Sequence, residues 1–261
     1  MPRLSRILIY PFKSLDGQEV PRAELLPGGA LVNDRRFALT NRQGDFINGK
    51  STPALHRLRS HYDADAGQLT LDVDGAGDPR SFDARGDRAE LAAWLSDYLN
   101  QPVTIVENAD GGFPDDVESP GPTLVSTGTL TAVAGWFDGL SLAETRARFR
   151  ANLEIDASEP FWEDRLVAEG LGVVRFTIGE VELLGTNPCQ RCPVPTRNPH
   201  TGEPIEKFAR SFAVHRGEAL PEWAPRDRFD HFYRLAVNTR CARVRAGTLQ
   251  ADDELTIQGV E

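Results

Sequence analysis

Short alternations of apolar and polar residues dominate the first hundred positions of this chain, and their period is that of strands. Residues 4 to 12 are rich in Ile, Leu, Tyr and Phe and predict a first strand. Pro11-Phe12-Lys13-Ser14 breaks it, and Asp16-Gly17 signals a turn. Further strands are predicted from Glu19 to Leu26, Arg36 to Thr40, Phe46 to Ile47, Arg57 to Asp63 and Gln68 to Val73. Short strands at this spacing indicate an antiparallel barrel or sandwich. A loop rich in Gly, Asp and Pro is expected from Gly75 to Gly86. Helical spacing appears only after it. Asp87-Arg88-Ala89-Glu90 forms a capping box, and Leu91, Trp94, Leu95 and Tyr98 follow on one face. Pro102 ends this helix, and Val103 to Val106 reads as a strand.

Asn108 to Pro122 is acidic and rich in Gly and Pro. It is taken as a linker between a domain at 1–107 and a domain at 123–261. The second half opens with a strand from Thr123 to Ser126 and a short helix from about Thr129 to Phe137. A second capping box, Ser141 to Glu144, starts a helix that reaches about Arg148, and Phe149 to Ile155 returns to extended chain. Gly172 to Leu184 has the alternation of a hairpin around Gly179-Glu180. Closing strands are predicted from Tyr233 to Val244 and from Glu254 to Ile257, with a polar stretch before them. The fold class is therefore mainly β with some α.

Composition narrows the function. No stretch approaches the roughly 18 apolar residues of a membrane span. The basic start is followed only by the short apolar run Ile7 to Tyr10, too short for a signal peptide, so a cytoplasmic protein is expected. Three cysteines argue against a disulfide framework. The net charge of −10 repels a phosphate backbone and argues against a nucleic-acid partner. Against that background, basic residues stand out at Lys13, Arg35-Arg36, Arg146, Arg148, Arg150 and Arg191, although surface ion pairs would account for most of them singly.

The stretch Asn187 to Pro199 concentrates the chemistry. It holds Cys189 and Cys192, with Arg191 beside the second, and Pro193, Pro195 and Pro199 make it a stiff, irregular loop. The spacing Cys189-x-x-Cys192 has several readings. A redox dithiol normally opens a helix, which the prolines oppose. Half a zinc site would need further donors from Cys241, His200, His215 or His231. A single thiolate that binds a metal or carries sulfur remains, beside the plain reading that both cysteines are packed small hydrophobes.

The loop resembles the signature of the MOSC family, the molybdenum-cofactor sulfurase C-terminal domain. The resemblance rests on Arg191-Cys192, Thr196, Asn198-Pro199 and Thr201-Gly202-Glu203. Four further motifs follow the family's order: Tyr10-Pro11-Phe12-Lys13-Ser14, Asp34-Arg35-Arg36-Phe37, Arg148-Phe149-Arg150-Ala151-Asn152 and Phe161-Trp162-Glu163-Asp164. Together they cover nearly the whole chain. The resemblance implies an N-terminal β-barrel-like domain and a MOSC β-barrel domain. It also implies binding of a pterin-type molybdenum cofactor, with Cys192 as the metal ligand and Arg191 offsetting negative charge. Lys13, Ser14 and Arg35 would contact the cofactor's phosphate. Arg150 and Asn152 would contact its pterin or phosphate edge, with Ser126 or Thr127 and Gln190 nearby. Glu163 and Asp164 would either orient Arg150 or Arg191, or form a structural salt bridge.

The activity so implied is reduction of N-oxygenated small molecules, as in the amidoxime-reducing members. The departures Gln190, Ala151 and Pro193-Val194-Pro195 bear on substrate choice. No cysteines remain for an iron–sulfur domain, so electrons are expected from separate ferredoxin- or cytochrome-type proteins and a reductase. Pyridoxal phosphate is set aside in favour of the pterin cofactor. The alternatives are a sulfur carrier with a persulfide on Cys192, and a non-catalytic cofactor-binding protein.

Overall fold

The computed structural model describes residues 1–73, 77–242 and 247–261. Gly75 of the expected loop and Val244 of the expected closing strand lie outside these residues. The first strand, Leu4–Ile9, does not stay with the strands that come next in sequence. It enters an eight-stranded sheet built mostly from the second half of the chain. The order across that sheet is Leu255–Val260, Val174–Ile178, Val181–Gln190, Arg234–Cys241, Leu124–Ser126, Leu153–Ile155, Leu4–Ile9 and Gln18–Val20. Leu124–Ser126 and Leu153–Ile155 run parallel, while the other neighbours are antiparallel.

The sheet curls until the start of Leu255–Val260 meets the start of Leu4–Ile9, its next-to-last strand. Leu255 N donates to Pro2 O at 2.9 Å, Leu4 N to Asp253 O at 2.8 Å, and Asp252 N to Leu4 O at 2.8 Å. Closure of this kind removes exposed edges. The inward positions alternate along each strand and fill the interior with Leu4, Ile7, Leu153, Ile155, Phe176, Ile178, Leu183 and Val237. These are β-branched and large apolar residues, which suit a half-buried pleated surface.

A second core belongs to the N-terminal half. Phe37–Thr40 pairs with Phe46–Ile47 and Thr104–Glu107, and Leu58–Asp63 pairs with Gln68–Val73, which pairs with Arg80–Asp83. Helix α1, Ala89–Leu99, packs Leu91 and Leu95 into this core with Phe12, Phe37, Tyr62 and Leu71. Its capping box is only half formed, since Asp87 accepts from Ala89 N at 2.9 Å and the assigned cap is Arg88. The helix ends at Asn100 in the left-handed region, two residues before Pro102.

The remaining helices cover the outer face of the large sheet. They are α2 (Thr127–Ala134), α3 (Leu142–Phe149) and α4 (Phe208–Glu218). Ser141 caps α3 by accepting from Glu144 N at 3.1 Å, as its sequence predicts. Helix α2 begins two residues earlier than expected because Ser126 is its cap, accepting from Thr129 N at 3.2 Å. Helix α4 falls in the stretch expected to be merely polar. Phe208 and Phe212 join Val125, Leu130, Phe149 and Leu235 in a third core. The strand Arg80–Asp83 likewise lies inside the expected Gly/Asp/Pro loop.

Glu163 and Asp164 stand in a short 3-10 turn, Trp162–Leu166, between the large sheet and α4. Asp164 pairs with buried Arg216, whose guanidinium lies 4.0 Å from the Phe161 ring centroid and 4.9 Å from that of Phe229. Glu163 accepts from Thr129 Oγ1 at 2.9 Å and Ser126 N at 3.3 Å. The structural salt bridge is therefore built at Asp164 alone, while Glu163 takes neither role and accepts hydrogen bonds at the start of α2. Neither holds Arg150 or Arg191 among the described residues.

This packing has two testable outcomes. Gly185 lies where the 3-10 turn presses on the sheet, and a Cβ there would stand 1.9 Å from Leu166 O. Backbone cannot yield that far, so Gly185→Ala should lower unfolding stability by about 3 kcal/mol in a denaturant titration. Glu163 is buried beside Asp164, and these raise its pKa from 4.5 to about 7. The folded state therefore holds a proton that the unfolded chain releases. That contribution to stability is full below 4.5 and is lost as pH rises through about 7. Glu163→Gln lacks this loss, so its melting temperature relative to the parent should rise between about pH 5 and about pH 8.

Candidate functional site

A large cleft of about 1020 Å³ opens along the seam between the second core and the closed sheet. Four separated segments carry most of the residues singled out from sequence. The first is Tyr10 to Asp16, where the chain leaves the large sheet for the second core. The second is Asp34-Arg35-Arg36-Phe37, which backbone bonds lay against the first. Arg35 N donates to Tyr10 O at 2.7 Å, Phe37 N to Pro11 O at 2.9 Å, and Lys13 N to Phe37 O at 2.8 Å. The third segment is the C-terminal end of α3 with Arg150 and Asn152. The fourth is the thiol segment.

The thiol segment is more regular than its prolines suggest. Asn187 to Gln190 complete the strand Val181–Gln190, with Pro188 opposite Val237 and Gln190 opposite Arg234. Pro188 fits because the pairing register shifts on either side of it, so the missing N–H leaves no gap in the ladder. Beyond the strand, Val194–Thr196 form a 3-10 turn with Pro195 buried. Cys189 and Cys192 are both half-buried free thiols on the cleft wall. The guanidinium of Arg191 turns to Cys189, not Cys192. Its Nη1 donates to Cys189 Sγ at 3.1 Å and its Nη2 to Phe149 O.

The donors a zinc site would need lie apart. Cys241 packs on the sheet interior and His215 stacks on Trp136 at 5.4 Å, while His200 reaches the cleft. No group of three or more His, Cys, Asp or Glu residues gathers to hold a metal among the described residues.

Of the residues that the sequence singled out, Lys13, Ser14, Arg35, Arg150, Asn152, Gln190, Arg191 and Cys192 all line the cleft. Ser126 does not. It is fully buried, and its hydroxyl caps α2. Asn152 is buried too, and both ends of its amide are bonded within the protein. Its Nδ2 donates to Leu8 O at 3.0 Å, while its Oδ1 accepts from Thr123 N at 3.2 Å and Arg35 Nη1 at 3.3 Å. It pins the seam.

Three of the cleft residues have left-handed backbone without being glycine: Ser14 at φ 73°, Arg35 at φ 48° and Arg150 at φ 53°. Each such residue costs on the order of 1 kcal/mol, a cost usually found where side-chain aim matters. The aim here is convergent. The Arg35 and Arg150 guanidiniums lie 5.0 Å and 4.2 Å from the centroid of the Tyr10 ring. Tyr10 is buried, which raises its phenol pKa, and its hydroxyl donates to Ala151 O at 3.2 Å.

The charges divide into two sets. Lys13 donates to Asp115 Oδ1 at 2.7 Å, and Arg35 pairs with Asp34. Burial lowers the Lys13 pKa; burial would also raise that of Asp115, but Lys13 draws it down to about 2. Arg146 binds Glu154 through two N–H groups, and Arg148 binds Glu144. Arg150, Arg191 and Arg197 have no carboxylate partner among the described residues. Arg150 donates to Leu15 O at 2.6 Å and Arg197 to Gly202 O at 3.0 Å. Arg197 and the Tyr10 platform were not singled out from sequence. Arg197 sits inside the thiol segment, next to Asn198-Pro199, as one more unneutralised cation.

Such a cleft suits a ligand that carries negative charge and an atom able to accept a thiolate. Its volume, its three uncompensated guanidiniums and its two half-buried thiols fit a phosphate-bearing metal cofactor.

Comparison with known proteins agrees with the motifs. Residues 1–81 match the MOSC N-terminal beta barrel domain, and residues 124–256 match the MOSC domain. The chain is 26% identical over 238 residues to a molybdenum cofactor sulfurase of Danio rerio, covering 72% of this chain and 27% of that protein. It is 26% identical over 235 residues to one of Oryza sativa subsp. japonica, covering 72% and 28% respectively. A third, from Drosophila grimshawi, is 27% identical over 235 residues, with 77% and 29% covered. The chain thus spans under a third of the length of these curated relatives. With a MOSC N-terminal barrel and a MOSC domain matched in order along it, the chain belongs to the MOSC-domain family.

Proposed function

We propose that the cleft binds a pterin-type molybdenum cofactor through Cys192, and that the protein reduces N-oxygenated small molecules. The observation that carries this reading is the pair of uncompensated guanidiniums, Arg150 and Arg191, on the same wall as the half-buried thiol of Cys192. A soft thiolate suits such a metal, and guanidiniums suit its phosphate. Lys13 and Ser14 on the first segment and Arg35 on the second line the same cleft and complete the cradle. Lys13 and Arg35 already hold Asp115 and Asp34, so their share is orientation more than net charge.

When bound, the cofactor supplies two-electron redox chemistry that the side chains lack. The chain's own residues position and enclose it. Tyr10 fixes the plane of Arg150, and Arg191 ties the end of the strand Val181–Gln190 to the end of α3 through Phe149 O. The net reaction on a hydroxylamine or amidoxime takes two electrons and two protons, breaks the N–O bond and releases water. Separate cytoplasmic ferredoxin- or cytochrome-type proteins would deliver the electrons.

A second reading has a specific support: the matched relatives are named molybdenum cofactor sulfurases. In it Cys192 carries a persulfide to a metal centre. Elemental analysis separates the two. Protein from a cofactor-competent host should hold about one molybdenum per chain, falling below about a tenth of that in Cys192→Ala. Cys189→Ala should keep its metal. Absence of molybdenum from the parent, together with an added sulfur atom on Cys192 by mass spectrometry, would replace the reductase reading with the carrier.

A further inference from the structure

We propose that the cleft's substrate is an anion bearing a carboxylate or another oxyanion, and that Arg197 receives that group. This rests on the cofactor reading above. Most of the other cations on the wall are matched. Lys13 has Asp115, Arg35 has Asp34, Arg59 has Asp16, Arg146 has Glu154, Arg148 has Glu144 and Arg234 has Asp230. Among the described residues, Arg150, Arg191 and Arg197 are left over. A phosphate monoester carries about two negative charges at neutral pH. It accounts for Arg150 and Arg191, which flank the end of α3 beside the thiols. Arg197 remains.

Its anchorage differs from theirs. Arg150 is held by Leu15 O and Arg191 by Cys189 Sγ and Phe149 O, whereas Arg197 comes after the 3-10 turn Val194–Thr196 and is held by Gly202 O. The charges of Arg150 and Arg197 both act on His56, which lines the same cleft. His56 turns Nε2 toward Gly49 O at 3.1 Å, and burial followed by the surrounding arginines lowers its pKa, so it adds no charge to this corner at neutral pH. Lys50 lies 3.8 Å from Asp115, a carboxylate that Lys13 already holds at 2.7 Å. The corner is also fixed in place. Arg59 donates to Pro199 O at 3.2 Å and meets His200 Nδ1, which bolts the segment after Arg197 to the N-terminal half. Arg197 spends one side-chain hydrogen bond on Gly202 O and keeps further donors on a planar fork that matches an oxyanion.

The test uses molybdenum-loaded protein with two probes, benzamidoxime and para-carboxybenzamidoxime. Binding is read by calorimetry and turnover separately by chromatography. The carboxylated probe should bind about tenfold more tightly, with an advantage that shrinks as salt rises. Arg197→Gln should bring the two probes to one affinity, and Arg197→Lys should keep part of the difference. Equal binding in the parent overturns the proposal, as does an advantage that persists in Arg197→Gln or ignores salt. Arg197-dependent preference without turnover of either probe keeps the subsite and removes the reductase reading. Turnover of both without preference does the reverse. If Arg197→Gln does not melt cooperatively, the lysine variant and the salt series carry the same decision.

Discussion

An arginine held by an aromatic ring instead of an acid governs this cleft. Burying a cation is costly, and proteins usually offset the cost with a carboxylate. Arg150 has the Tyr10 ring at 4.2 Å and one carbonyl, Leu15 O. Burial correspondingly lowers its pKa. A ring face stabilises the guanidinium without cancelling its charge, so the potential remains for a ligand. Had an aspartate stood in place of Tyr10, the packing would survive and the anion site would not.

That interaction depends on the way the sheet closes. Tyr10 comes directly after Leu4–Ile9, the strand that the large sheet takes from the other end of the chain. Asp34 fixes the exit by accepting from Tyr10 N at 2.8 Å, and Asn152 ties the same point to Leu8 and Thr123. The cleft is therefore a by-product of one crossing. The strand itself belongs to the closed sheet, while Phe12 and Leu15, a few residues later, pack into the N-terminal core. Left-handed backbone at Ser14, Arg35 and Arg150 is the local cost of turning three segments sharply at one seam.

Much of this was legible because local rules and tertiary demands agreed. Alternating apolar residues found the strands, and Ser141 announced α3. Lys13, Ser14, Arg35, Arg150, Asn152, Gln190, Arg191 and Cys192 all reached the cleft, whereas Phe161 to Asp164 went to a packed turn and the small hydroxyl of Ser126 to a helix cap. Helix α4 was hidden for a physical reason. It starts after Lys207 in the left-handed region with no capping side chain, and its buried stripe of Phe208, Phe212 and Arg216 includes a charge. Arg216 reads as surface until Asp164, far away in sequence, is placed against it. The strand Arg80–Asp83 has one buried residue, Phe82, in a composition of turn formers, so only pairing with Gln68–Val73 makes it a strand. Arg197 was missed because an uncompensated charge is defined by what is absent around it, which no linear pattern contains.

The two thiols show how little their spacing alone decides. Both line the same cleft, three residues apart, yet their surroundings differ. Cys189 sits within a strand, packs on the third core and accepts an N–H from Arg191 at 3.1 Å. Cys192 lies past the strand's end, where its carbonyl accepts from the Tyr233 hydroxyl at 3.4 Å. The arginine adjacent in sequence to Cys192 thus serves its neighbour's sulfur, and through Phe149 O it anchors the strand end to α3. The anchor that sets where Cys192 emerges is thus Arg191 on Phe149 O, and its contact with Cys189 only adds to it. Spacing alone, read as Cys-x-x-Cys, contains neither contact.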